Sequence, residues 1–392
     1  TDLSPDEGLT AGSMSLQTTG NAIRLAAADA RHVLLEVAHE ELECARSLAT
    51  LTVEDGVVSD PATGRTVTYW QLFGGRRFGR AITGQAKPKR PEQRRLAGQP
   101  MTRLDLAAKV TGTFPYVHDL ELPGMVHGRV LRPPSYHARL VALDTTAVEA
   151  MAGVLAVVRD GTFVGVVAQR EEQALAAVAA LATAARWRTG VPLPEQIALY
   201  ADLQARPALA YPLRDGCAVD EPIPPVVTPP AAAQTLSATY QRPFQMHASL
   251  GPSAAVARWD TPPAGPPHMD GPQLTVWSHT QGPFVLKRAI ASTLGLAEES
   301  VRVIHTEGAG CYGHNGAEDA AFDAVLLACA LPGRPVSLKW SRADEHMWEP
   351  YGPAMVGALQ ASLDDAGRIV DWNHDIWSYP HATRPRPAAD TS

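Results

Sequence analysis

Apolar residues recur along the chain at two spacings, which predict a mixture of amphipathic helices and short strands. An apolar stripe or an Ala-rich run predicts helices at 21–43, 171–187, 284–294 and 317–331. Short β-branched or alternating runs predict strands at 51–58, 66–69, 125–131, 154–158, 163–168, 254–258, 274–278, 301–305, 336–340, 358–363 and 369–376. Helices and strands interleaved in this way indicate an α+β fold.

The segment 301–323 passes from a β-branched strand through a glycine cluster into an Ala-rich helix. Its glycines are Gly308, Gly310, Gly313 and Gly316. Glycine tolerates positive φ and close backbone approach, and the start of a helix presents N–H groups that have no intrahelical partner. The segment is therefore predicted to form a loop that binds an anionic ligand.

Two other interpretations of this loop remain open. Its spacing fits G-x-G-x-x-G, which is typical of dinucleotide-binding domains, but the next predicted strand ends in basic and aromatic residues at 339–342 rather than in the acidic residue of that motif. A tight turn without a ligand is the simpler interpretation. The polar and aromatic residues between the glycines, Cys311, Tyr312, His314 and Asn315, favour a ligand-binding loop.

Three stretches of the chain resemble one family. GAGCYGHNGAED at 308–319 resembles the first molybdopterin-binding segment of the xanthine dehydrogenase and aldehyde oxidase superfamily. The segment 109–140 is similar to its a/b hammerhead domain, and 10–27 resembles a cofactor-lining segment. In most members the third stretch lies downstream of the hammerhead. Its position here, upstream, resembles the permuted order in the branch that contains the beta chain of isoquinoline 1-oxidoreductase.

The resemblance implies roles for residues around the glycine loop. Gln281 corresponds to a glutamine that hydrogen-bonds the apical oxo ligand of molybdenum, a task that suits an amide because its NH₂ donates without ionising. Tyr312 and Gly313 correspond to the Phe-Gly pair that lies over the cofactor. Gly316 stands where purine-oxidising members have a glutamate, so the resemblance does not extend to a purine substrate.

The resemblance also implies a second group of contacts. Gly12, Ser13 and Ser15 correspond to residues that contact the pterin phosphate and its nucleotide extension. His314 and Asn315 either face a substrate pocket or hold the loop through local hydrogen bonds. The catalytic glutamate of the family lies near the end of the large subunit and outside this chain. The chain is therefore expected to be a partial subunit without an assigned catalytic residue and without a protein ligand to the metal.

Composition excludes several classes of protein. A formal net charge of -7 argues against a nucleic-acid binder. The four cysteines are scattered, without the C-x-x-C spacing that would build a zinc or iron–sulfur site locally. Any [2Fe-2S] cluster is therefore expected on a partner subunit. No apolar run reaches the length of about 18 residues that membrane insertion needs.

Five segments are predicted along the chain. They are a molybdopterin-binding segment in permuted order at 1–75, a basic linker at 76–98, the a/b hammerhead domain at 99–188, a Pro/Ala-rich linker at 189–235 and a partial first molybdopterin-binding domain at 236–392.

The resemblance implies a molybdopterin-dependent oxidoreductase that hydroxylates an N-heteroaromatic or aldehyde carbon with water as the oxygen source. The expected cofactor is molybdenum with molybdopterin cytosine dinucleotide, and the expected partners are a small [2Fe-2S] subunit and a cytochrome c. A non-catalytic scaffold and a dinucleotide-binding dehydrogenase remain as alternatives. The bacterial cytoplasm and the periplasm are both open as compartments.

Overall fold

The computed structural model describes residues 1, 4–44, 46–75, 79–260, 273–380 and 384. The chain divides into two compact units, an N-terminal unit, Leu9–Phe114, and a large unit, Thr1–Gly8 with Pro115–Ser392. No helix among the described residues is both long and apolar enough to cross a bilayer.

The N-terminal unit packs one long helix against a small antiparallel sheet. Its helices are α1 (Asn21–Glu41), α2 (Tyr69–Phe73) and α3 (Leu106–Thr111), and its strands, in sheet order, are β1 (Thr52–Glu54), β2 (Val57–Ser59) and β3 (Thr66–Thr68). The apolar stripe of α1 is buried through Leu35, Ala38 and Leu42, as its spacing predicts. The strand predicted at 51–58 is two strands, because Asp55 and Gly56 take positive φ and turn the chain between β1 and β2.

A buried carboxylate of α1 anchors part of the predicted basic linker. Asp29 accepts hydrogen bonds from the backbone N–H groups of Thr83, Gly84 and Ala86. These hydrogen bonds, first among them the one from Gly84, hold the pKa of Asp29 below its usual value. Residues 83–86 of the predicted basic linker are therefore tethered to the helix.

The large unit contains the remaining elements of the described chain. Its helices are α4 (Thr146–Glu149), α5 (Glu171–Ala184), α6 (Leu199–Ala205), α7 (Pro283–Leu294), α8 (Ala317–Cys329) and α9 (Arg342–Trp348). Its strands are β4 (Val126–Val130), β5 (Arg139–Ala142), β6 (Val154–Asp160), β7 (Phe163–Ala168), β8 (Arg186–Arg188), β9 (Leu213–Arg214), β10 (Cys217–Ala218), β11 (Gln234–Arg242), β12 (Ala254–Trp259), β13 (Leu274–Ser278), β14 (Val301–His305), β15 (Val336–Lys339), β16 (Met355–Leu363) and β17 (Ile369–Ser378).

A mixed sheet forms the centre of the large unit. Seven described strands lie in the order β14, β13, β12, β15, β4, β7 and β6. The pairs β13–β14 and β4–β15 are parallel, and the other pairs are antiparallel. The parallel pair of β4 and β15 joins strands from the predicted hammerhead and molybdopterin-binding segments in one sheet.

Helix α8 lies unusually close to this sheet. Leu327 on α8 is fully buried against Gly128 of β4 and Gly165 of β7. A Cβ atom at either glycine would lie 2.5 Å from a methyl carbon of Leu327, so no larger residue fits without displacing the helix. The close packing fixes the C-terminal half of α8 against the sheet.

Several predicted elements are confirmed and others need correction. The strands at 163–168, 274–278 and 301–305 have the predicted bounds. The helix predicted at 171–187 ends at Ala184, and a short strand, β8, takes its last residues because they pair with β5. The predicted linker at 189–235 contains α6 and the β9–β10 hairpin, and β11 begins inside it at Gln234, where it pairs with β16.

Candidate functional site

The glycine loop between β14 and α8 packs mainly against protein side chains. Gly310 and Gly313 have φ of 107° and 147°, and Gly308 and Gly316 do not take positive φ. A Cβ atom at each of these positions would collide with a neighbouring side chain. That side chain is His279 at position 308, Tyr312 at 310, His247 at 313 and Trp340 at 316. Residues larger than glycine therefore do not fit at these positions without displacing those side chains. The expectation of positive φ is met at Gly310 and Gly313 and is wrong for Gly308 and Gly316.

The start of α8 is closed by the protein. Asn315 is buried, its Oδ1 accepts a hydrogen bond from the N–H of Ala317 at 3.2 Å, and its Nδ2 lies 3.3 Å from Ser249 Oγ. Asn315 therefore satisfies the N–H of Ala317, one of the N–H groups without an intrahelical partner at this helix start.

Glu318, in the first turn of α8, connects several candidate residues. It is buried and accepts hydrogen bonds from Thr280 Oγ1 at 2.7 Å and Arg384 Nη1 at 2.8 Å, and His314 Nε2 lies 3.6 Å away. Burial alone would raise the pKa of Glu318, but His314, Thr280 and Arg384 outweigh it and hold the pKa below its usual value. Glu318 is therefore an ionised structural anchor.

Gln281 follows β13 and has a defined amide orientation. Its Oε1 accepts a hydrogen bond from Arg384 Nη2, and the same guanidinium binds Glu318. Because the oxygen side of the amide faces Arg384, the NH₂ side points elsewhere. Arg384 therefore fixes which side of the Gln281 amide carries the oxygen.

His279 supports the loop from behind and was not predicted. It is buried, its Nε2 accepts a hydrogen bond from the N–H of Ala254 at 3.2 Å, and its ring packs on Gly308. Burial, with a smaller contribution from the charge of His118, lowers the pKa of His279 to about 4. The imidazole is therefore neutral at physiological pH. Its ring packs against Gly308, and its Nε2 accepts the hydrogen bond from Ala254.

Tyr312 stands at the exposed tip of the loop, beside an open pocket. Its side chain is 62% exposed. The pocket has a volume of about 560 Å³ and is lined by Arg242, Gln245, Met246, His247, Tyr312 and Gly352. Within the described chain no acidic residue belongs to this lining, and its one permanent charge is the guanidinium of Arg242. The pocket is therefore suited to a ligand that carries negative charge.

Two buried carboxylates lie behind the pocket and were not predicted. Glu349 accepts a hydrogen bond from the N–H of His247, and Glu345 accepts from the N–H and Oγ of Ser253. Burial first, and then the adjacent Glu349, raises the pKa of Glu345. The sequence carries no signal for this pair, because acids four positions apart on a short helix are ordinarily solvated.

The candidate residues Gly12, Ser13 and Ser15 belong to the N-terminal unit and are exposed. Gly12 and Ser13 both take positive φ, of 67° and 57°. Serine in this region is strained, and such strain is common where a loop is shaped for binding. The carbonyl of Ser15 accepts from the N–H of Gly20 at 2.8 Å and begins a π-helical turn that continues into α1.

The chain is similar in sequence and in fold to known molybdopterin-binding proteins. Residues 229–384 match the family described as the molybdopterin cofactor-binding domain. A nicotinate dehydrogenase subunit of Pseudomonas putida is 37% identical, over 98% of this chain and 31% of its own length. The beta chain of isoquinoline 1-oxidoreductase from Brevundimonas diminuta is 25% identical, over 72% of this chain and 35% of its own. Quinoline 2-oxidoreductase from Pseudomonas putida 86 shares the fold with a TM-score of 0.55 and 19% identity, covering 71% of this chain and 39% of that chain.

These matches confirm an α+β chain that contains a molybdopterin cofactor-binding domain. The chain belongs to the molybdopterin-binding subunits of the molybdenum hydroxylases, the xanthine dehydrogenase family, as the sequence resemblance predicted. It spans about a third of the length of the two curated relatives.

The residues present fit such a cofactor in their chemistry. Arg384 binds the oxygen of the Gln281 amide, so the NH₂ side of that amide is turned away from the guanidinium. The exposed ring of Tyr312 borders a pocket whose described lining contains a guanidinium and no carboxylate. An oxygen-rich, negatively charged pterin phosphate and metal group would meet donors and no like charge in that lining.

Proposed function

We propose that Gln281, Tyr312 and Gly313 contact the molybdopterin, with the Gln281 NH₂ donating to an oxygen ligand of the metal. The observation that carries this proposal is the orientation of the Gln281 amide, which Arg384 and Glu318 hold. Gly12, Ser13 and Ser15 are proposed to contact the pterin phosphate and a cytosine dinucleotide extension. The strained φ of Ser13 supports a binding role for that loop.

His314 and Asn315 are proposed to hold the loop rather than to contact substrate. The side chain of Asn315 accepts a hydrogen bond from the N–H of Ala317 and lies 3.3 Å from Ser249 Oγ, and His314 faces Glu318. Both contacts are within the protein and join the loop to its neighbours. Their role would then be to keep Tyr312 at the exposed tip, beside the pocket.

We propose that the whole enzyme hydroxylates a carbon of an N-heteroaromatic ring, with an aldehyde as the second substrate class. The names of the relatives, nicotinate dehydrogenase and isoquinoline 1-oxidoreductase, favour the heteroaromatic class. The bound cofactor would supply two-electron oxidation with water as the source of oxygen. Electrons would pass to a small [2Fe-2S] subunit and on to a cytochrome c. No residue of this chain is assigned as the general base.

Pterin retention tests the assignment of the contact residues. In the assembled enzyme, Gln281→Ala and Tyr312→Ala are each expected to lower the pterin bound per protein by about tenfold, because supporting contacts of a metal group contribute on that scale. Fluorescent pterin released on oxidation measures the loss, and circular dichroism checks the fold. Tyr240→Ala is the matched control, because Tyr240 is 63% exposed on β11 and outside the pocket lining. Unchanged pterin content in both loop variants would refute the assignment.

A further inference from the structure

The side-chain amide of Gln281 has two orientations, which differ in the end that carries the oxygen. The two ends are nearly equal in shape, so neighbouring hydrogen-bonding groups decide which orientation is populated. Arg384 decides it here, because its Nη2 donates to Gln281 Oε1. A guanidinium has donors and no acceptor, so it can pair only with the oxygen end of the amide.

The guanidinium itself is held by a buried carboxylate. Its Nη1 donates to Glu318 Oε1 at 2.8 Å, and the side chains of Arg384 and Glu318 are only 17% and 4% exposed. The planar fork of an arginine fixes the direction of one terminal N–H group once the other is bound. Glu318 therefore determines the direction from which Arg384 approaches Gln281.

The same carboxylate also holds the backbone beside Gln281. Thr280 Oγ1 donates to Glu318 Oε1 at 2.7 Å and accepts from the N–H of Gly282 at 3.0 Å. These two contacts join the residues on either side of Gln281 to α8. The main chain and the amide of Gln281 are thus tied to one carboxylate, the first through Thr280 and the second through Arg384.

We infer that Arg384 is a positioning residue for Gln281 and that Glu318 acts through Arg384. The guanidinium keeps the amide oxygen on its own side, which places the NH₂ group at the opposite end. The inference deepens the proposed function and rests on it, because this orientation serves a donor to an oxygen ligand of the metal. Neither Arg384 nor Glu318 is among the contact residues that the sequence resemblance implies.

A purely structural role is the alternative, since Arg384 also neutralises the buried charge of Glu318. Arg132 offers a matched comparison on the same helix. It pairs with Asp323 of α8, and 19% and 8% of these two side chains are exposed. Arg132→Ala therefore removes a guanidinium from a buried carboxylate of α8, as Arg384→Ala does, and leaves the partner of Gln281 in place.

Nuclear magnetic resonance of the full 392-residue chain tests the inference without cofactor or turnover. The chain is labelled with ¹⁵N-glutamine, and the side-chain signal that disappears in Gln281→Ala belongs to Gln281. Arg384→Ala is expected to shift this signal, because the amide loses a charged donor at its oxygen. Arg384→Lys should restore part of the shift, since an ammonium donates but lacks the fork. Arg132→Ala should leave the signal at its wild-type position.

Thermal unfolding of each variant checks the fold. Arg384→Ala combined with Glu318→Gln removes the buried charge together with its partner, so the same shift can be measured if Arg384→Ala alone does not fold. An unmoved Gln281 signal in a folded variant without Arg384 would overturn the inference. An equal movement in Arg132→Ala would also overturn it, in favour of a general effect of destabilising α8.

Pterin retention in the assembled enzyme supplies the second readout. Arg384→Ala should lower the pterin bound per folded protein by up to about tenfold and add nothing to the loss in Gln281→Ala, because both variants remove the same contact. Losses that add, or an equal loss in Arg132→Ala, would contradict a role through Gln281. Full pterin content in Gln281→Ala beside a shifted amide signal in Arg384→Ala would overturn the proposed function and uphold the positioning of Gln281 by Arg384.

Discussion

Glu345→Ala is expected to lower the free energy of unfolding by about 3 kcal/mol. Glu345 is fully buried in α9, and both of its oxygens accept hydrogen bonds from Ser253, one from the N–H at 2.8 Å and one from the hydroxyl at 2.9 Å. Truncation leaves a cavity and strands the buried N–H of Ser253 without an acceptor. Denaturant titration followed by tryptophan fluorescence measures the loss.

Glu345→Gln is the matched control, because it keeps the shape of the side chain and an oxygen that accepts from Ser253.

The raised pKa of Glu345 makes the stability of the folded protein depend on pH. Stability that depends on the protonated acid is fully present below the pKa of the unfolded chain and is lost as the pH rises through the higher folded-state pKa. As the pH rises from the pKa of an unfolded glutamate, about 4.3, through the higher folded-state pKa, the wild type should therefore lose stability relative to Glu345→Gln.

Two results would contradict this account of α9. A loss in Glu345→Ala no larger than that of an ordinary surface substitution would show that the contacts with Ser253 are not important for stability. A constant difference between wild type and Glu345→Gln across the pH range would show that Glu345 is ionised in the folded protein. Other titrating groups are common to both proteins and cancel in the difference.

Gly313→Ala is expected to destabilise the glycine loop by about 3 kcal/mol, from backbone strain and steric overlap together. The φ of Gly313 is 147°, and a Cβ atom there would lie 2.1 Å from His247 Cδ2 and 2.4 Å from its Nε2. Nδ1 of the His247 ring lies 3.5 Å from Glu349 Oε1, so the ring cannot move away without losing that contact. The variant should therefore also displace Tyr312 from the pocket.

A double-mutant cycle separates the two causes. His247→Ala removes the overlap but not the strain, so the cost of Gly313→Ala should fall by about half or more in the His247→Ala background. Hydrogen exchange of the 306–316 backbone, together with denaturant titration, reports both the local and the global effect. An equal cost in both backgrounds would show that His247 does not constrain the loop.

The local strand–loop–helix pattern around the site could be predicted from sequence. The strand ending at His305 and the helix starting at Ala317 follow from local periodicity and composition, and both have the predicted positions. The family resemblance was also readable, because the motif at 308–319 is short, continuous and rich in unusual residues.

The environment of each side chain could not be predicted in the same way. The burial of Glu318 and Glu345 depends on partners far away along the chain, Arg384 for one and Ser253 for the other. The roles of the loop glycines depend on His279, His247 and Trp340, which come from other elements. Only the tertiary structure places Arg242 beside Tyr312 in the pocket lining.

Molybdenum and pterin content tests the central claim most directly. The chain is co-expressed with the coding sequences that neighbour it in its genome, in a host supplied with molybdate, and the purified complex is analysed by mass spectrometry and pterin release. We expect close to one molybdenum and one pterin per chain, because the chain carries the molybdopterin-binding domain of its family. A folded complex that contains neither would contradict the account and favour a scaffold role.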